Sequence, residues 1–206
     1  FGIEPGGAYP PAGAAKIDGS RLRTVAERVA QEQMARTTDP AFAERSMLTK
    51  FLPKGEMDLD LLLFQSVLGP IGLPAEEALY VNVEAADGKP LNANHDYVIR
   101  MKADDLPPHQ AFWSVTLYDL ANGFFIPNDR KKYSVGENGG MKLGEDGGIE
   151  IHVAAEKPEG VPEENWLPIR RKDETMDIVL RIYVPDLEKF KAWKAPVAER
   201  VGAPSE

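Results

Sequence analysis

There is no cysteine among the 206 residues. A disulfide scaffold, a thiolate zinc site and a cysteine nucleophile are therefore excluded together. Histidine is scarce: His95, His109 and His152 stand far apart, with no His-x-His or His-Glu-x-x-His pair to found a metal site. Positive charge is also short, with Lys+Arg 24 against Asp+Glu 33 and a formal net charge of -9. Such a surface repels nucleic-acid phosphates and anionic bilayers, so no nucleic-acid partner is expected. No apolar run approaches the ~20 residues a membrane-spanning helix requires, so no transmembrane segment is expected. There is no Walker loop, no Gly-x-Gly-x-x-Gly after a strand and no Gly-x-Ser-x-Gly. The glycines at 136, 139, 140, 144, 147 and 148 fall between strand-like segments and read as hairpin turns. What is present is ordinary globular composition, 43% hydrophobic and 28% charged, on a length that suits one domain with its own core. The chain opens on Phe1 without a charged start and an apolar stretch, and reads as a piece of something longer.

Periodicity divides the chain. Residues 1–19, with Gly6-Gly7 and Pro10-Pro11, read as a linker. Residues 20–78 read as helical. Leu22, Val25, Val29 and Met34 recur at helical spacing, and Asp39-Pro40 is an N-cap followed by proline at the first helical position. Met57 to Leu68 reads as a buried apolar helix stopped by Gly69-Pro70, and Pro74 to Glu77 as one more helical turn. From Leu79 the period becomes two, and residues 79–206 read as a β domain. Leu79 to Glu84 and His95 to Lys102 are expected as a hairpin or neighbouring strands. Ala111 to Asp119 is expected as a central strand. Phe124 to Ile126, Tyr133 to Val135, Met141 to Leu143 and Ile149 to Val153 follow as short strands, and Met176 to Val184 alternates most cleanly. A short helix from Asp186 to Trp193 closes the pattern. The fold class is mainly β with an α-helical N-terminal third, an antiparallel β-sandwich of jelly-roll type. Trp113, Val115, Leu117, Ile149, Ile151, Ile178, Leu180 and Ile182 are its expected core.

One constellation of polar side chains emerges from the alternation. Thr116, Tyr118, Glu150, His152, Arg181 and Tyr183 all project opposite the most apolar positions. If their strands are neighbours, they form a polar floor holding an arginine, a histidine and two tyrosines, suited to a small molecule or saccharide. The i, i+2 pair Glu150 and His152 could also begin a metal site, but no third or fourth ligand can be named, so neither metal nor cofactor is expected. No catalytic residue stands out. Trp166 lies in a loop-like stretch and Trp193 follows the short terminal helix, and both read as clamps of loops onto the sandwich, with at least one of them partly exposed.

Leu106-Pro107-Pro108 followed by Ala111-Phe112-Trp113-Ser114-Val115-Thr116-Leu117-Tyr118-Asp119 resembles the bacterial family called domain of unknown function 1214. Tyr80, Asp87-Gly88-x-Pro90-Leu91 and Tyr97 precede it. Asn128-x-Arg130, Tyr133-Ser134-Val135-Gly136, Asn165-Trp166-Leu167-Pro168, Leu180-Arg181-Ile182-Tyr183-x-Pro185 and Trp193-Lys194-x-Pro196 continue it in order, so the resemblance runs from about Leu73 to Val201. The family usually shows Asn-Pro-x-Asn-Arg before the Tyr-Ser motif. Here Ile126-Pro127-Asn128-Asp129-Arg130-Lys131-Lys132 departs from it with added basic residues. Gly2-Ile3-Glu4-Pro5-Gly6-Gly7 resembles the linker that joins a companion family, domain of unknown function 1254, to this one in two-domain proteins. The resemblance implies a jelly-roll sandwich, and many members carry export signals, which implies a periplasmic or secreted protein without excluding the cytoplasm. It supplies no activity.

Two functions are expected from these readings: a ligand-binding or assembly module of an exported envelope protein, or an enzyme, such as a hydrolase, whose site is shared with a missing N-terminal domain. The helical third carries apolar side chains on more than one side, more than one sheet face can cover at the ~10 Å spacing of packed helices. It is expected to meet the N-terminal domain of the same parent protein, or a second copy of this chain in a homo-oligomer.

Overall fold

The computed structural model describes residues 5–7, 18–53, 55–69 and 71–202, so most of the expected linker 1–19 lies outside the described residues, as does Pro70 of the Gly69-Pro70 stop. The chain divides into two compact units, residues 1–46 with 58–70, and residues 47–57 with 71–206.

The first unit is helical because its caps and apolar spacing say so. Helix α1 (Gly19–Ala35) begins where the Asp18 carboxylate accepts the amides of Ser20 and Arg21. Helix α2 (Pro40–Thr49) begins after Asp39, whose carboxylate accepts the Ala41 amide at 3.0 Å. Helix α3 (Leu59–Leu68) starts under Asp58, which accepts the Leu61 amide at 2.8 Å. Arg36 joins these pieces. Its guanidinium donates to both Asp60 oxygens, at 2.9 and 2.6 Å, and lies 3.9 Å from the centre of the Phe42 ring. Phe42 in turn meets Phe64 edge-on at 4.8 Å. The expectation of a buried helix over Met57 to Leu68 needs correction. Leu61, Phe64 and Gln65 are buried, but Leu59 is 82% exposed, and Leu62, Leu63 and Leu68 also face outward. The helix buries one stripe, Leu61, Phe64 and Gln65, and its other apolar positions stay outside.

The second unit holds two four-stranded sheets. The first is ordered β1-β7-β3-β4, with β1 at Ala78–Asn82, β3 at His109–Asp119, β4 at Ser134–Gly136 and β7 at Met176–Pro185. All its pairings are antiparallel. The second is ordered β6-β5-β2-β8, with β2 at Tyr97–Met101, β5 at Ile149–Ala154, β6 at Trp166–Pro168 and β8 at Ala198–Arg200. Here β5 and β6 run parallel, so the sandwich is not wholly antiparallel. Inward side chains of both sheets form one core around Trp113, Ile99, Ile151, Leu180 and Ile182, and all eight expected core residues are buried in it. The β-rich class with helices at its N-terminal side stands as read from the sequence.

Several local expectations give way. β1 and β2 are not neighbours: β1 pairs with β7 and β2 with β5 and β8, each in a different sheet. Pro74 to Glu77 does form the single turn expected, with the Glu77 and Ala78 amides both donating to the Pro74 carbonyl, and it goes no further before β1. Met141 to Leu143 forms no strand, and Phe124 to Ile126 contributes only one bridge, from Phe125 to Tyr118. The closing helix is short, Leu187–Phe190, and is labelled α4. Trp166 lies in β6 and is buried, its indole N–H donating to the Ala154 carbonyl at 2.9 Å, whereas half-buried Trp193 donates to Asp105 at 2.8 Å. Both indoles tie loops to the sandwich.

Candidate functional site

The outer face of the first sheet is where side chains with chemistry gather. β3 and β7 are its two inner strands, and their register sets Phe112 opposite Tyr183 and Ser114 opposite Arg181. The period of two then puts Phe112, Ser114, Thr116 and Tyr118 on the same side as Arg181 and Tyr183. β4 adds Ser134, which pairs with Thr116. Loops complete the wall. The Asn122-Gly123 turn, with Gly123 at φ 69°, reverses the chain so that Phe125 stacks on Tyr118 at 5.3 Å. Only glycine adopts that φ without cost. Tyr133 stacks on the other side of Phe125 at 4.8 Å, and Phe112 stacks on Tyr183 at 4.4 Å. Two aromatic walls thus border an open groove of about 380 Å³ with Arg181 and a row of hydroxyls on its floor.

Arg181 donates to the Tyr118 hydroxyl at 2.7 Å, and its guanidinium carbon lies 5.7 Å from the Tyr80 ring centre and 5.4 Å from that of Tyr118. These are cation–π distances. Among the described residues no carboxylate forms an ion pair with Arg181, in contrast to Arg36, Arg100 and Arg171. The side-chain hydroxyls of Ser114, Thr116, Ser134, Tyr133 and Tyr183 line the groove and make no hydrogen bond to another described side chain or backbone group. The acid of this face is Asp177, opposite Tyr118 in the ladder. Burial pushes its carboxyl above the usual carboxylate range, against an amide hydrogen bond from Ile178 and the attraction of Arg181.

The expected floor of six is thus divided. Thr116, Tyr118, Arg181 and Tyr183 come together, while Glu150 and His152 lie on β5 in the second sheet. There Glu150 accepts from Arg100 at 2.8 Å and its other oxygen lies 3.3 Å from His152 Nε2. Arg100 also reaches Glu199 at 2.5 Å, making a cross-strand chain of charges over β5, β2 and β8. Arg100 is the main reason the Glu150 carboxyl sits below its ordinary range. Among the described residues, no three histidine or acidic side chains converge to hold a metal ion. Sequence reasoning left out Phe125, Tyr133, Ser134 and Asn138. For Phe112 and Ser114 the signal was available, since both share the β3 face with Thr116. The region around the divergent 126–132 stretch lines a second groove with Asn128, Arg130 and Trp166, where Arg130 lies 5.4 Å from the Trp166 ring centre and pairs with Glu163.

Comparison with known proteins places these features in a wider set. A family profile described as Protein of unknown function (DUF1214) matches residues 76–187, just over half of the chain. A crystal structure of the VPA0106 protein from Vibrio parahaemolyticus superposes with a TM-score of 0.62 and 26% identity, covering 91% of this chain and 47% of that one. The chain therefore spans about half the length of that relative. An uncharacterized protein from Burkholderia cenocepacia aligns with a TM-score of 0.43 and 21% identity over 66% of this chain and 33% of that one. A search of curated proteins finds no match.

Proposed function

The chain belongs to the family described as Protein of unknown function (DUF1214), and on that premise we propose that it is a ligand-binding module whose site is the groove on the outer face of the first sheet. The observation that carries this is Arg181: a cation between two tyrosine rings, without a carboxylate partner, above hydroxyls that are also unpaired. Donors that face the open groove and hold no protein partner can exchange water for the acceptors of a ligand. The ligand is a small molecule or a saccharide. Binding is favoured over chemistry because, among the described residues, no imidazole and no carboxylate line the groove to activate Ser114. A hydrolase-like enzyme would have to draw its acid and base from an N-terminal domain. The test is a fragment set of small acids, alcohols and sugars titrated into nitrogen-15-labelled protein. Amide shifts gathered on residues 112–118 and 179–183 support the reading. Shifts scattered over the surface, or none on these strands, overturn it.

An assembly role rests on a separate observation. Leu22, Val25, Leu59, Leu62, Leu63 and Leu68 are exposed on the helical unit, and a contiguous apolar patch on a protein surface marks a docking site. In this reading residues 20–78 dock the N-terminal domain of the same parent protein or, when that is absent, a second copy of the chain. Residues 79–206 are then a jelly-roll sandwich that carries the groove, in a protein exported to the periplasm or secreted. Light scattering decides this: a species heavier than 22.7 kDa that reverts to monomer on Leu59→Glu supports docking, and a monomer at all concentrations removes the homo-oligomer.

A further inference from the structure

The shape and donors of the groove narrow the class of ligand, on the assumption that the groove is a binding site. Three chemistries compete for such a floor: phosphates, neutral sugars and carboxylates. A phosphate group carries up to two charges and is usually met by a helix N-terminus, a nest of amides or several cations. Among the described residues the groove offers one cation, Arg181, and its floor is made of strands whose amides are spent in the ladder. A neutral sugar is usually gripped by an open aromatic face. Here the rings have turned their faces to one another: Phe112 to Tyr183 at 4.4 Å, and Tyr118 to Phe125 to Tyr133 at 5.3 and 4.8 Å.

A carboxylate needs what remains. A guanidinium presents paired N–H groups in a plane that match the two oxygens of a carboxylate. The Arg181 fork spends a bond from Nη2 on Tyr118 and keeps other donors unpaired. Ser114, directly opposite Arg181, and Thr116 next along the same face supply hydroxyl donors for further lone pairs. Asp177, the acid of this face, stands opposite Tyr118 in the ladder and forms no ion pair with Arg181 among the described residues.

We propose that the groove recognises small organic acids, the carboxylate seated between Arg181 and the Ser114 and Thr116 hydroxyls and the remainder of the molecule lying in the open groove. The site is local: the net charge of -9 does not draw anions to the molecule from a distance, so the selectivity comes from short-range pairing.

The experiment uses the whole chain with benzoate and its neutral counterpart benzamide, followed by amide shifts and titration calorimetry. Benzoate should bind at residues 112–118 and 179–183 about tenfold or more tightly than benzamide, and should weaken as salt is raised. Arg181→Gln should remove that preference. Arg181→Lys should keep only part of it, because a point charge replaces the fork. Equal binding of benzoate and benzamide in the groove overturns the carboxylate assignment and leaves the groove a binding site. Binding of inorganic phosphate in preference to benzoate overturns it too. If no probe shifts these strands, both readings fail. Since the benzoate–benzamide comparison is made on the unaltered protein, a variant that does not fold leaves the test intact.

Discussion

Tyr183 lies flat on Phe112, their ring centres 4.4 Å apart, and the residue that follows Tyr183 is in the left-handed region. Val184 has φ 49°, and the β3–β7 register shifts between His109 and Phe112 at the same place. This is a bulge, with residues 110 and 111 of β3 set against Val184, and it ends the regular ladder beside the aromatic wall. A β-branched residue at positive φ is strained by an amount on the order of 1–3 kcal/mol. Val184 is half exposed and returns little from packing.

Relief of that strain is measurable. Val184→Gly should stabilise the protein by about 0.5–1 kcal/mol, the strain removed less the extra freedom glycine gives the unfolded chain. Urea unfolding with an unchanged slope is the measurement. A lower midpoint would show that Val184 is not strained.

Gly136 gives the opposite expectation. It is extended, at φ -169°, so its conformation is open to any residue. Its surroundings are not: an added Cβ would lie 2.7 Å from Ser114 Cβ and 2.9 Å from the Trp113 carbonyl oxygen. Gly136→Ala should cost about 1–3 kcal/mol, the range for overpacking. It should also move the amide signals of Ser114 and Thr116, since β4 must back away from β3. An alanine variant as stable as the parent would contradict the close approach.

Asp177 gives a pH dependence with a definite sign. Burial raises its folded pKa above the unfolded value, so its contribution is fully present at low pH and is lost as pH rises through the folded pKa. At pH 7 the buried charge is a penalty that an amide does not carry. Asp177→Asn should therefore raise the thermal midpoint at pH 7, and the gap should close as pH falls into the carboxylate range. A constant gap, or one that widens in acid, would contradict this assignment.

Burial separates two leucines that the sequence does not distinguish by type. Leu180→Ala empties a site in the centre of the core and should cost about 2–5 kcal/mol. Leu59→Ala, at a position 82% exposed, should stay within about 0.5 kcal/mol. A large loss at Leu59 measured on dilute protein would mean that it is covered by something other than solvent.

The parts of the molecule legible in the sequence are those governed by neighbours a few residues away. Alternation marked β3, β5 and β7 and put Trp113, Ile151 and Leu180 inside. It also put Thr116, Tyr118, Arg181 and Tyr183 outside. The same rule applied equally to Glu150 and His152 and could not tell that their strand belongs to the other sheet, since partition between sheets is decided by long-range pairing. β6 and β8 are three residues each, and Trp166, Leu167 and Pro168 are all buried, which leaves no alternation to detect. The inward or outward fate of Leu59, Leu62 and Leu63 depends on what lies beside α3, and their shared apolar character is silent on that. Phe125 and Tyr133 reach the groove from loops, where no period operates.

The pairing of strands also governs when the molecule can form. Leu79 pairs with Ile182 and Tyr97 with Arg200, each across about a hundred residues of chain. β3 likewise finds β7 only after the second sheet's β5 and β6 have been made. A nascent chain that has not reached Met176 lacks the strand that lies between β1 and β3, and the groove's cation with it. Closure of these spans must be met before the β1–β7 and β2–β8 ladders reward it, which slows formation of both sheets. Until the chain beyond Met176 has been made, β1 lacks its partner and β3 has only β4 beside it, and the protein depends during that interval on whatever keeps such edges apart in the cell.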